Sequence, residues 1–188
     1  MSGDLKTVTS KSRYFTVNRI TLIAVLTAFV TVGRLIFALP ILPNIQPMTA
    51  MLIIITLNIG VIDGITVSVF SVILTNIFLG MGIWSIMQII SFVVIMVLTV
   101  VLKYFYKYGG LRNRIIFSIW AGITGFTYGF TISLMSYYTY GLSNFTVYYL
   151  NGIPFDILHA VGNLIFFFIL EPIIVPIIQK KFKHQNQS

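Results

Sequence analysis

The chain has no cysteine and only four acidic side chains among its 188 residues. Without cysteine there are no disulfides, no cysteine–zinc sites and no thiol catalysis, and the compartment is left open. Four acids and two histidines give little from which to build an acid–base pair. No metalloprotease helix motif, phosphate loop or Gly-x-Ser-x-Gly elbow occurs, so no motif supports ATP hydrolysis or other catalysis by this chain. Charged residues make up 9% and hydrophobic residues 57%, with a mean hydropathy of +0.97. A soluble fold of this size needs a polar exterior that such a composition cannot supply, so lipid must be much of its solvent. A net charge of +8 is of the sign that nucleic-acid-binding proteins carry. The basic residues, however, sit at the ends of apolar stretches, where membrane topology puts them, and no nucleic-acid partner is expected.

The length suits one domain. Its expected parts are a basic N-terminal segment (1–19), a membrane domain (20–179) and a short tail (180–188). The polar run Met1–Ser12 and the absence of a small-residue cleavage site before Leu39 mark the first apolar stretch as a retained span. Six spans can be drawn: Ile20–Leu39, Met48–Ile62, Ile65–Leu79, Trp84–Leu102, Ile115–Ser136 and Pro154–Ile178. Pro40, Pro43 and Pro47 break the chain after the first, because proline lacks an amide donor. Asp63-Gly64 is taken as the turn between the second and third. Pro154 is placed as a first-turn residue of the sixth. The second and third spans are short against the roughly 20 residues that cross hydrocarbon, so a single hairpin that dips in and returns is the alternative there.

Lys6, Lys11, Arg13 and Arg19 precede the first span. Lys103, Lys107, Arg112 and Arg114 fill the fourth connection from the first, and Lys180, Lys181 and Lys183 follow the last. The connections Pro40–Pro47, Gly80–Ile83 and Tyr137–Gly152 contain no basic residue. With six spans all three basic segments fall on one side, which the positive-inside rule assigns to the cytoplasm together with both termini. The expected fold is therefore all-α, an integral protein of the cell membrane with six crossings.

Arg34 is the one basic residue inside a span. A charge at membrane depth costs about 2.5–3.5 kcal/mol on the insertion scale, and so calls for an explanation. Asp156, His159 and Asn163 are spaced to share one helix face near the same end. They point either to a polar cavity open to the outside or to a structural Arg34–Asp156 pair between helices. Asn44, Gln46 and Thr49 flank the proline-rich turn and offer donors and acceptors. Asn76 ends the third span. Trp84 and Gln88, four residues apart, begin the fourth. The Tyr137–Gly152 connection is rich in tyrosine, Tyr137 and Tyr140 among them. It reads either as an interfacial aromatic belt or as a lid over a small molecule. Glu171, between the last span's prolines, is given no function. Ala24 and Ala28, four apart in the first span, would let another helix approach closely.

Three segments carry a family resemblance: Pro43-Asn44-Ile45-Gln46-Pro47-Met48-Thr49, Leu79-Gly80-Met81-Gly82-Ile83-Trp84, and Gly152-Ile153-Pro154-Phe155-Asp156-Ile157-Leu158-His159-Ala160. With six short spans and the Ala24/Ala28 pair, the chain resembles the substrate-binding S component of an energy-coupling-factor (ECF) vitamin transporter. The subgroup it resembles includes pantothenate and cobalamin S components, and Gly80–Gln88 leans toward the pantothenate type. The resemblance implies a six-helix fold that binds a vitamin in an outward cavity closed by loops. It implies docking on a membrane coupling protein (T component) through the Ala24/Ala28 face. ATP and magnesium would be used by two partner ATPases, with no cofactor in this chain. Arg34 or His159 would meet a pantothenate carboxylate, and Asn44, Gln46 and Gln88 its amide and hydroxyls. Cobalamin or hydroxymethylpyrimidine are the other cargoes. A structural membrane protein and a membrane enzyme using Asp156 and His159 are the readings from other classes.

Overall fold

The computed structural model describes residues 17–38 and 44–185, with side chains to residue 180. Six α-helices follow one another: α1 (Val17–Ile36), α2 (Met48–Asn58), α3 (Val61–Leu79), α4 (Ile83–Leu102), α5 (Leu111–Tyr140) and α6 (Phe145–Gln185). A 3-10 turn, Lys103–Phe105, follows α4, and no strand occurs among the described residues. Five of the helices are long and apolar enough to cross a membrane, which makes this a multi-pass membrane protein.

The second helix is the exception, and its composition shows why. Met48–Asn58 is apolar on every side, and all of its residues from Met48 to Leu57 are buried. A helix without a polar face belongs in the centre of a bundle. Its 11 residues span about 16 Å, half of a hydrocarbon core. The other five helices form the wall around it, and their outward faces carry exposed Ile, Val, Leu and Phe as lipid requires.

Two expected boundaries are corrected. The break between α2 and α3 lies at Ile59-Gly60, not at Asp63-Gly64. Asp63 sits in the first turn of α3, where the helix dipole favours an acid. Its carboxylate accepts from Arg19 Nε and Nη2 at 2.9 and 2.7 Å. Gly64 is there for close approach rather than for turning: a Cβ would overlap the Thr56 side chain of α2. The second correction concerns the Tyr137–Gly152 connection. It is mostly helix, because α5 runs on to Tyr140 and α6 begins at Phe145. Gly141 closes α5 in the left-handed region (φ 60°), a conformation glycine adopts without strain. Asn144 Oδ1 accepts from the Val147 amide at 3.1 Å and so caps the start of α6. The helix is continuous through Pro154, Pro172 and Pro176. In a membrane bundle, neighbouring helices and polar side chains compensate the bonds a proline removes.

Helices α5 and α6 form the tightest pair. A Cβ at Gly125 would stand 2.5 Å from the Ala160 backbone nitrogen, and one at Gly122 would stand 3.4 Å from the Ala160 carbonyl. Small residues let backbones approach where lipid supplies no hydrophobic drive between helices. At the basic end, Glu171 accepts from Arg114 Nε at 3.1 Å and from the Tyr106 hydroxyl at 3.0 Å, tying α6 to the start of α5. Burial holds the Tyr106 phenol well above its usual range.

Candidate substrate-binding site

Contacts between helix ends sort the bundle into two poles. Arg19–Asp63, Lys103 Nζ–Thr56 O and Arg114–Glu171 gather at one. The other collects the end of α1, the start of α2, the end of α3, the start of α4, the far half of α5 and the first turns of α6. Almost every polar residue singled out in the sequence lies there.

Its centre is Arg34, 6% exposed, near the end of α1. Nη1 donates to Thr75 Oγ1 at 2.8 Å and Nη2 to Gln88 Oε1 at 3.3 Å. Asn76 Nδ2 donates to the same Gln88 oxygen and to Ser85 Oγ, both at 2.8 Å. All partners are neutral, and no carboxylate lies in ion-pair range of Arg34 among the described residues. A buried guanidinium held only by dipoles keeps most of its charge unneutralised and most of its five donors unused. A second group adjoins it. Thr49 Oγ1 and His159 Nε2 share a hydrogen bond of 2.9 Å, linking α2 to α6. The Tyr128 ring meets His159 edge-on at 5.0 Å and packs on Phe92. Tyr128 also neighbours Gln88.

Beside this network opens a cavity of about 330 Å³ between α5, α6 and the Asn44 turn. Asn44, Tyr128, Ser133, Tyr148, Asn151 and Asp156 supply its polar lining. Asp156 is 6% exposed, and its Oδ2 has no hydrogen-bond partner. It fits only because residue 129 is glycine: a Cβ there would overlap the carboxylate. Asn44 turns the chain into the site with φ 66°, a left-handed value asparagine tolerates.

The structure thus joins Arg34, Asn76 and Gln88 in one cluster, Thr49 and His159 in its neighbour, and Asn44 and Asp156 in the cavity wall. It does not form the Arg34–Asp156 pair. Arg34 is engaged by α3 and α4, and Asp156 faces α5 at Gly129, while Tyr128 borders both. Asn163 shares the α6 face as expected; it is fully buried, with both amide atoms unpartnered. Gln46 is half-buried and makes no side-chain hydrogen bond to a described residue. Trp84 lies over Gly82, 47% exposed and apart from Gln88's cluster. Tyr140 is 53% exposed, and Tyr137 packs against the Phe145 ring at 5.8 Å. Ala24 and Ala28 are exposed on the outward face of α1. Sequence reasoning passed over Tyr128, Ser133 and Thr75. The signal for the first two was the run of small residues Gly122, Gly125, Gly129 and Ser133 along one face of α5.

The architecture is that of a multi-pass helical membrane protein with a cavity of small-molecule size at one pole. The chain belongs to the ECF transporter, substrate-specific component family, which it matches over residues 18–171. No curated protein and no solved structure matches it. It is therefore a substrate-binding subunit of a transporter rather than an enzyme. The family implies a substrate, a T component and ATPase partners.

Proposed function

We propose that this chain captures a B vitamin at the outer face of the cell membrane, and that the vitamin is pantothenate. The observation that carries the reading is the buried Arg34 guanidinium, which has donors to spare and no carboxylate partner. A ligand carboxylate would neutralise it with charge-assisted bonds. The hydroxyls and amide of the same ligand would reach Asp156, Ser133, Asn151 and Gln88, with Tyr128 turning between the two groups. A cavity of about 330 Å³ lies at the small end of ligand sites and suits a compact vitamin rather than cobalamin. The basic pole would face the cytoplasm, leaving the cavity open outward. Ala24 and Ala28 would meet the T component, and ATP and magnesium would act in the ATPases. The pantothenate subgroup itself rests on the Gly80–Gln88 segment.

A second reading has its own support. Asp156 lines the cavity directly, whereas Arg34 is not among its lining residues. An amino-pyrimidine such as hydroxymethylpyrimidine would place its donors on that carboxylate and its ring against Tyr148. Isothermal titration of the purified chain against pantothenate, hydroxymethylpyrimidine and cobalamin decides between them. Pantothenate binding that is lost in Arg34→Ala supports the first reading. Pyrimidine binding that is lost in Asp156→Asn and kept in Arg34→Ala replaces it. Binding of none of the vitamins would remove both.

A further inference from the structure

A second cavity lies at the opposite, basic pole. It is a groove of about 340 Å³ between the end of α4 and the first three turns of α5, with exposed Phe105 and Ile116 among its lining residues. Leu102, Phe105, Ile116 and Trp120 line it, and Arg112 and Asn113 stand with them. We propose that this groove binds one anionic phospholipid, with an acyl chain along the apolar wall and the phosphate at Arg112.

Four observations carry the assignment. First, Arg112 has no hydrogen bond or ion pair to any described residue, whereas the other two arginines of this pole have carboxylate partners, Arg19 with Asp63 and Arg114 with Glu171. The described acids at this pole are therefore already engaged. Second, Asn113 Nδ2 donates to the Lys107 carbonyl at 3.0 Å, tying the segment that bears the exposed Lys107 to the first turn of α5. The loop that carries Lys107 is thereby fastened to the helix turn that carries Arg112. Third, the indole N–H of Trp120 is already satisfied by Thr99 Oγ1 at 3.1 Å. The ring can thus line an apolar slot without an unpaired donor. Fourth, Tyr104 and Phe105 next to the groove are 88% and 68% exposed, the placement of side chains that sit at headgroup level. Basic pockets between helices at this depth select anionic headgroups, with about 1 kcal/mol per basic residue.

The test is native mass spectrometry of the full chain released from vesicles of equal phosphatidylglycerol and phosphatidylcholine. The wild-type chain should retain phosphatidylglycerol about fivefold or more over phosphatidylcholine, the factor that about 1 kcal/mol gives. Arg112→Ala should bring that ratio close to one, Arg112→Lys should keep most of it, and Trp120→Ala should lower retention of both lipids. Thermal melting of each variant separates lost binding from lost folding. Equal retention of the two lipids by the wild type, or an unchanged ratio in a folded Arg112→Ala, would overturn the proposal. Excess inorganic phosphate should not displace the lipid. Displacement would make the groove a plain anion site and overturn it too. The vitamin reading does not depend on the outcome, because the groove lies at the other pole.

Discussion

Two alanine substitutions one turn apart on α5 should fail in different ways. At Gly125, a Cβ would stand 2.5 Å from the Ala160 nitrogen and 2.7 Å from its Cα. Those are backbone atoms and cannot step aside. Restoring an ordinary contact near 3.5 Å requires α5 and α6 to part by about 1 Å. Overpacking of this kind costs about 1–3 kcal/mol, and a chain of this length loses about 2–4 °C of melting temperature per kcal/mol. At Gly129, the atoms in the way are the carboxylate of Asp156, the end of a side chain that can rotate. The bundle should therefore stay shut while the carboxylate leaves the cavity wall. Losing hydrogen bonds to a charged group costs about 1.5–3 kcal/mol, which is about 10- to 100-fold in Kd. Melting followed by tryptophan fluorescence, beside titration with pantothenate, reads the two quantities on the same samples. Gly125→Ala should melt several degrees lower with binding kept below its melting point. Gly129→Ala should melt like the wild type and bind weakly. A Gly125→Ala as stable as the wild type, or a Gly129→Ala that loses stability while binding normally, would refute the packing argument.

Arg34→Ala should weaken pantothenate binding at least about tenfold by titration, as loss of a charge-assisted bidentate contact implies; unchanged affinity would reduce Arg34 to a packing residue. Arg19→Ala should cost more stability than Asp63→Ala, because it leaves the Asp63 carboxylate, 2% exposed, without its ion pair, whereas Arg19 is a quarter exposed and can turn to water. Melting curves of the two single variants and the double variant give the coupling, expected below the roughly 3–5 kcal/mol of a fully buried pair. Ala24→Trp or Ala28→Trp should leave binding intact and block uptake into cells that carry the full transporter. Lost binding in either would contradict the separation of the cavity from the α1 face.

Much of the bundle could be read from composition and charge alone. Hydropathy with few charges gave the membrane, the apolar runs and their proline and glycine breaks gave six helical elements, and the placement of lysine and arginine assigned the basic connections to one side. The inward face of Asp156, His159 and Asn163 followed from helical periodicity, and all three are buried. Helix ends were harder. Pro154 looked like a start signal and lies inside α6, because the true cap, Asn144, precedes a tyrosine-rich stretch that reads equally well as loop. Asp63-Gly64 looked like a turn, because a short polar–glycine pair has the same appearance whether it bends the chain or lets two helices touch.

Residue chemistry and period set how much of this chain is apolar, which ends are basic and which side chains share a helix face, since all three are local properties. The pairing of those faces is not local. Arg34 meets Thr75 and Gln88 rather than Asp156, and Asp156 meets the space left by Gly129, because the order in which helices surround α2 decides which stripes face each other. That order depends on backbone distances of a few ångströms at Gly64, Gly125 and Gly129. Only the packed structure supplies them.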